Sequence, residues 1–393
     1  MGKGKVFLVS LLSLALVSTA SMTAVRTASA NETEKWRYFA KDMTYKWAPN
    51  FNNTTFKNAW TGAVNSWNGK GMNIYQHSNS ANTLGEFYES SDLYGRMTTR
   101  YSSSNIVTSF TGEINSGNSN NVNTNVPLSV AVHEIGHSMG LAHNTQNSIM
   151  SNERNRNNLY YPTSYDVQTM KQLYVGTIGW NSLTATTEKA PQEETSQINL
   201  SYDFPTASTI QEMTSEADVV ISGEYTSNEY EKWNMSRNPE NPLKESSEKY
   251  AEGRLYKFKI ENVLKGNLSE KEIKVNHRAS DMIKVELEEG MTQEVKVDDP
   301  RFIEPTAGQK YLLFLKKDDK LNNYYGAIEP FSLIITNQDN VQVESNLVGK
   351  QDYTHKFHVS NGLYLETEEE GTVDTISGSS LSELIEKIDL PIQ

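Results

Sequence analysis

The sequence predicts an α+β protein in two parts: an N-terminal part that mixes strands with helices, and a C-terminal part that is mostly β, as a barrel or sandwich. Three observations carry this. Residues 31–180 interleave strand-like and helix-like apolar patterns, and residues 201–393 repeat short alternating apolar runs. Between them "NSLTATTEKAPQEETSQINL" (181–200) is polar, lacks either apolar period and reads as a linker. With 393 residues, 36% of them hydrophobic, the chain can fill two cores.

At the N-terminus, Lys3 and Lys5 precede an apolar run from Val6 to Val17, and Ala28-Ser29-Ala30 supplies the small residues of a cleavage site. This predicts a signal peptide over 1–30, with Asn31 as the mature start. The run falls short of the roughly 20 residues that span a bilayer. No cysteine is present, so neither a lipidated cysteine nor a disulfide is expected. The expectation is a secreted, extracellular protein of bacterial type, with no membrane attachment in the mature form.

The formal net charge is −13, and it is uneven: residues 31–192 hold 12 basic and 11 acidic residues, residues 193–393 hold 21 and 38. An acidic C-terminal part makes nucleic acid an unsuitable partner.

In the N-terminal part, "MTYKW" (43–47) alternates as a strand, and Phe56, Trp60, Ala63, Val64 and Trp67 share one helical face. "NIVTSF" (105–110) reads as another strand. Pro127 suits the first turn of a helix, and Ser164 is placed to cap a later one whose buried side is Val167, Met170, Leu173 and Tyr174. The C-terminal part opens with a short helix near 209–217. Strand-like runs follow, from "DVVISGEY" to "KFHVSNGLYLE", and "SSLSELIEKI" predicts a closing helix. "ADVVISGEY", "YKFKIENVLKG" and "QKYLLFL" faintly resemble barrel modules of the oligomer-binding type. His277, His355 and His358 read as surface or packing residues, and "ETEEE" (366–370) as a solvated loop.

The chemistry is concentrated in "LSVAVHEIGHSMGLAHN" (128–144), where three of the seven histidines fall within eleven positions. On a helix His133 and His137 lie one turn apart on one face and can reach a single ion. Gly140 can take the left-handed conformation that ends the helix, so that His143 returns as a third ligand. A fourth position stays open for water. Glu134, rotated off the ligand face, suits the general base that deprotonates that water. Zn2+ fits three neutral imidazoles and supplies the acidity and polarisation that peptide hydrolysis needs. A buried helix can also hold histidines paired only to backbone carbonyls. The short HExxH form arises by chance in about one chain in twenty of this length, but the five-position form in roughly one in 8,000.

"HEIGHSMGLAH" resembles the zinc signature of the metzincin metalloproteases, and most closely their matrixin branch. The resemblance implies a methionine turn beneath the metal, which places Met150 of "NSIM" there; a plain core methionine is the alternative. "DMTYKW" with the Trp60–Trp67 helix resembles the matrixin opening, "NIVTSFTGEIN" its edge strand before the active-site helix, and "TSYDVQTMKQLYVG" its closing helix. The implied division is a signal peptide over 1–30, a matrixin-like zinc protease domain over 31–180, a linker over 181–200 and an acidic accessory domain over 201–393. The cysteine of matrixin prosegments has no counterpart here. Neither does the second, structural zinc site, since His77 is the only earlier histidine.

The loop "EINSGNSNNVNTN" (113–125) offers oxygens that could hold Ca2+, although such a loop is more often simply flexible. The wall of a substrate pocket would come from residues after Met150, with Tyr160, Tyr161 and Pro162 as candidates. The leading expectation is a zinc endopeptidase acting on protein or peptide substrates. One alternative is a secreted binding protein or adhesin whose acidic C-terminal domain carries the function. Another is a C-terminal domain that folds over the cleft and restrains activity. Oligomeric state is not legible.

Overall fold

A computed structural model describes residues 33–174, 195–287, 291–336, 339–350, 353–360, 362–369 and 371–389. The expected signal peptide lies outside the described residues, and so does most of the expected linker, residues 181–194.

The N-terminal elements are β1 (Asp42–Trp47), α1 (Thr54–Asn68), β2 (Asn73–Gln76), β3 (Thr83–Glu89), β4 (Gly95–Ser102), β5 (Val107–Asn115), α2 (Asn125–Ser138) and α3 (Ser164–Leu173). They follow from local sequence. All five apolar positions predicted for one face of α1 are buried, and the Asn53 side chain caps its start by accepting from Phe56 N. α2 is buried along nearly its whole length. α3 starts one residue earlier than Ser164 implied: Thr163 is its cap, in a reciprocal box with Asp166 that Ser164 cannot form.

β2, β1, β3 and β5 run parallel in that order, and β4 pairs antiparallel outside β5. α1 and α2 cover one face, over a core that includes Trp60, Trp67, Met97, Phe110, Val130 and Ile135. The buried indole N–H groups of Trp60 and Trp67 donate to Gly85 O and Val132 O, 3.0 Å each. "NIVTSFTGEIN" is therefore an interior strand, a correction to its reading as the edge. The edge of this N-terminal set is β4, which the sequence pattern did not single out.

β4 is not open. Residues 195–200, read as linker, belong to strand β6 (Thr195–Asp203), which pairs antiparallel with β4 from Ser102↔Thr195 to Gly95↔Asp203. The reason is an apolar alternation, Ile198, Leu200 and Tyr202, all buried, that sits at the end of a polar stretch. Both modules thus share one sheet.

Beyond β6 come α4 (Ile210–Glu216), β7 (Val219–Asn234), β8 (Ser236–Asn238), β9 (Asn241–Glu245), β10 (Tyr250–Lys265), β11 (Glu272–Glu286), β12 (Thr292–Asp298), β13 (Lys310–Asp318), β14 (Asn323–Gly326), β15 (Ser332–Ile335), β16 (Val341–Val343), β17 (Tyr353–Ser360), β18 (Leu363–Glu369) and α5 (Leu381–Asp389). β7 pairs β10, β10 pairs β11, β11 pairs β14 in parallel, β14 pairs β13, and β13 returns to β7. That ring is a five-stranded barrel, the form oligomer-binding modules take. Tyr225, Tyr256, Phe258, Val275, Tyr311 and Leu313 are among the residues of its core. His277 is a packing residue there: its Nε2 lies 2.8 Å from the Tyr225 hydroxyl, and burial lowers its pKa to about 4.

β18 runs parallel to β6, with β17 outside it. The "ETEEE" stretch is therefore largely strand, not a solvated loop. Glu366 is buried because it pairs with Lys356 on the neighbouring strand and with two partners far away in sequence, Lys35 and the Tyr101 hydroxyl, from which it accepts at 2.9 Å.

Candidate metal centre

α2 delivers His133 and His137 one turn apart, then ends at Ser138. Gly140 has φ +95°, and a Cβ there would stand 2.3 Å from the Trp36 carbonyl oxygen, so the turn requires glycine on both counts. Leu141 N closes the turn on Gly136 O at 3.0 Å, and the chain comes back at His143. The three Nε2 atoms converge: His133 to His137 3.1 Å, His137 to His143 3.1 Å, and His133 to His143 3.2 Å.

The centre of such a triangle lies about 1.8 Å from each nitrogen, so a point just off its plane meets the roughly 2.0–2.1 Å zinc–nitrogen distance for all three. The outer nitrogens fit too. His133 Nδ1 is 2.8 Å from Ile149 O and His137 Nδ1 is 2.9 Å from Leu141 O. An N–H donated to each carbonyl leaves the Nε2 lone pair facing the common centre. Burial, with Arg154 and the neighbouring rings, holds the His133 pKa well below the usual imidazole value; burial and His137 do the same for His143. Neutral rings are the ligating form.

Met150 is 1% exposed and lies under α2: a Cβ on Gly136 would come within 2.4 Å of its sulfur. Asp166 of α3 fixes this turn by accepting from Ile149 N at 3.1 Å and from the Ser148 hydroxyl. Since Ile149 O faces His133, the capping-box aspartate of α3 also orients a member of the triad.

Glu134 is fully buried, and neither carboxylate oxygen has a hydrogen-bond partner among the described residues. Burial, with the Asp203 carboxylate second, pushes its pKa well above the usual carboxylate value, against the pull of Arg154, Arg156 and Arg96. Asp203 ends β6, and ligand atoms of His133, Glu134 and Asp203 lie within 4.8 Å of one another. Arg154 grips Asp203 with two N–H groups, Nη1 at 3.2 Å from Oδ1 and Nη2 at 2.7 Å from Oδ2, and Arg156 pairs with Oδ1. Burial alone would raise the Asp203 pKa, but the two guanidiniums hold it well below the usual range.

Among known families, residues 31–175 match the matrixin family of peptidases. This segment is a matrixin-like metzincin domain. Its family implies a catalytic zinc, and the histidine triad fits that ion on geometry, tautomer and protonation. No curated protein matches the chain. Among solved structures, high choriolytic enzyme 1, a hatching-enzyme zinc protease from Oryzias latipes (medaka fish), is similar at 14% identity and a TM-score of 0.24. The match covers 36% of this chain and 94% of that one. A likeness so slight adds nothing about the chemistry here.

In the matrixin-like domain the expected residues His133, Glu134, His137, Gly140, His143 and Met150 come together. Tyr160 is half-buried, Tyr161 exposed and Pro162 buried, and the two rings lean on each other at 4.8 Å. Among the described residues, no hydrogen bond or ring contact links these three to the triad. From beyond Met150, Arg154 and Arg156 reach Asp203 beside the triad, and an irregular segment concealed them.

In the 113–125 loop, Glu113 is engaged by Arg96 and Lys249. The amides of Asn115, Asn118 and Asn121 donate to the carbonyls of Leu93, Asp92 and Tyr94. Protein partners thus order that loop. Asp203 had no signal in the sequence beyond ending an alternating run.

Proposed function

We propose that the protein is a secreted zinc-dependent endopeptidase that hydrolyses peptide bonds of protein substrates. The observation that carries this is the triangle of three buried Nε2 atoms beside a buried carboxylate left without a partner. The match to the matrixin family supports it. Zinc, when bound, acidifies a coordinated water and polarises the substrate carbonyl. His133, His137 and His143 would hold it. Ile149 O and Leu141 O keep the first two rings in the ligating tautomer.

Glu134 takes the proton of the attacking water and returns it to the departing amine nitrogen. Secretion rests on the signal-like pattern of residues 1–30.

The test is elemental analysis of the purified chain, with hydrolysis of a mixed peptide library followed in parallel. The expected result is one zinc per chain, lost in His137→Ala, and cleavage abolished by a chelator and by Glu134→Gln. Cleavage that survives Glu134→Gln, or a chain without stoichiometric metal, overturns the reading. The same variant separates this from an adhesin, whose biological effect would survive it.

A further inference from the structure

A free sheet edge beside an active-site helix is a ready receptor for an extended peptide, which adds to it as one more strand. In this protein the edge is β4, which packs on α2 so closely that a Cβ on Gly95 would sit 2.6 Å from Val130 and 2.7 Å from Glu134 Oε1. The place next to it is filled by the chain itself. β6 follows β4 through to Gly95↔Asp203, and Tyr94 N donates to Asp203 O at 2.7 Å. The strand thus delivers a carboxylate to within 4.8 Å of ligand atoms of His133 and Glu134, where a substrate carbonyl and its attacking water must meet.

A strand serving only to extend the sheet has no need to end there. This one buries an acid and two arginines around the reaction centre, and leaves Glu134 with no exposed surface. We propose that Thr195–Asp203 is a self-supplied occupant of the peptidase groove, with Asp203 as the plug clamped by Arg154 and Arg156, and that the folded chain is latent until this strand is displaced. The proposal rests on the endopeptidase reading and adds its regulation. β18 backs the strand from Gln197 to Leu200, and Glu366 ties β18 to Lys35 and Tyr101 of the N-terminal part, so displacement has to break these contacts as well as the pairing with β4 from Thr195 to Asp203.

The test is a reversible lock in the full chain. Thr99 and Asn199 are directly opposed across β4 and β6, a separation that an antiparallel disulfide spans, and the chain has no other cysteine. Thr99→Cys/Asn199→Cys is assayed oxidised and after phosphine reduction, alongside wild type and Asp203→Asn. Each sample is assayed for peptide-library hydrolysis, zinc content and amide exchange over 195–203.

The oxidised lock should hydrolyse at least about 100-fold more slowly than its reduced form, at equal zinc content. Asp203→Asn should exchange faster over 195–203 and hydrolyse at least about 10-fold faster than wild type, and it supplies the test should the cysteine pair fail to fold. Equal, measurable rates with the strand locked and unlocked overturn the proposal while leaving the endopeptidase standing. Zinc-loaded chain that stays inactive even when exchange shows the strand released overturns the endopeptidase reading, and the proposal with it.

Discussion

Two clusters of buried charge join the C-terminal residues to the N-terminal sheet, and they obey different rules. In the first, Arg278 spends its guanidinium on Glu89 (2.8 Å), Asp299 (2.9 Å) and Asp281, and Arg301 spends its own on Asp92 (2.8 Å) and Asp299 (3.1 Å). Every one of these carboxylates meets a cation. In the second, Arg154 and Arg156 both converge on Asp203, and the adjacent Glu134 has no partner among the described residues. Desolvating a carboxylate with no partner is costly, and folding alone gives no return for it. The first cluster is mortar between modules; the second keeps an unpaired acid beside the histidine triad, the mark of a site proposed to do chemistry.

The sharpest way to break this comparison is to remove one charge from each. Glu134→Gln should lower hydrolysis by about 10²–10⁴-fold, the usual worth of a general base, while the unfolding temperature stays level or rises. A thermal scan showing a large loss of stability would mean that Glu134 belongs to the mortar. Arg278→Ala leaves buried Glu89 and Asp281 without their cation and should cost about 3–5 kcal/mol in denaturant unfolding, with zinc content unchanged.

Smaller still is Gly136→Ala, whose methyl group would meet the Met150 sulfur at 2.4 Å. Overpacking of about 1–3 kcal/mol and weaker zinc retention against a chelator are expected, since the turn beneath the triad must shift. Normal retention would detach Met150 from the metal site.

pH provides the finest test. Burial would raise the Asp299 pKa, but Arg301 and Arg278 bring it down to about 2. A depressed carboxylate stabilises the fold above its unfolded pKa of about 3.9 and loses that contribution as pH falls through the folded value, here about 2 kcal/mol between pH 4 and 2. Asp299→Asn should flatten that part of the stability curve. An unchanged slope would place the acid-sensitive group elsewhere.

The half of the site carried by α2 was legible because its information is local. His133, His137, Gly140 and His143 are set by helical spacing and one left-handed turn within eleven residues, and α1 announces its buried face by the same period. The other half depends on pairing across distance. Asp203 meets Glu134 only because Leu200 lies opposite Thr98 in the sheet, about a hundred residues away in sequence. The alternation of Ile198, Leu200 and Tyr202 was present but followed a polar stretch, so it read as linker. Arg154 and Arg156 sit in a segment without period, where nothing local says that two cations face inward. Glu366 is buried for the same reason: its partners Lys35 and Tyr101 come from the other end of the chain.

The most direct test of the central claim is anomalous diffraction at the zinc edge from crystals of the purified chain. One strong peak is expected about 2.0–2.1 Å from Nε2 of His133, His137 and His143. A clean map at those three nitrogens, or a zinc bound at other residues with the imidazoles turned apart, would contradict it.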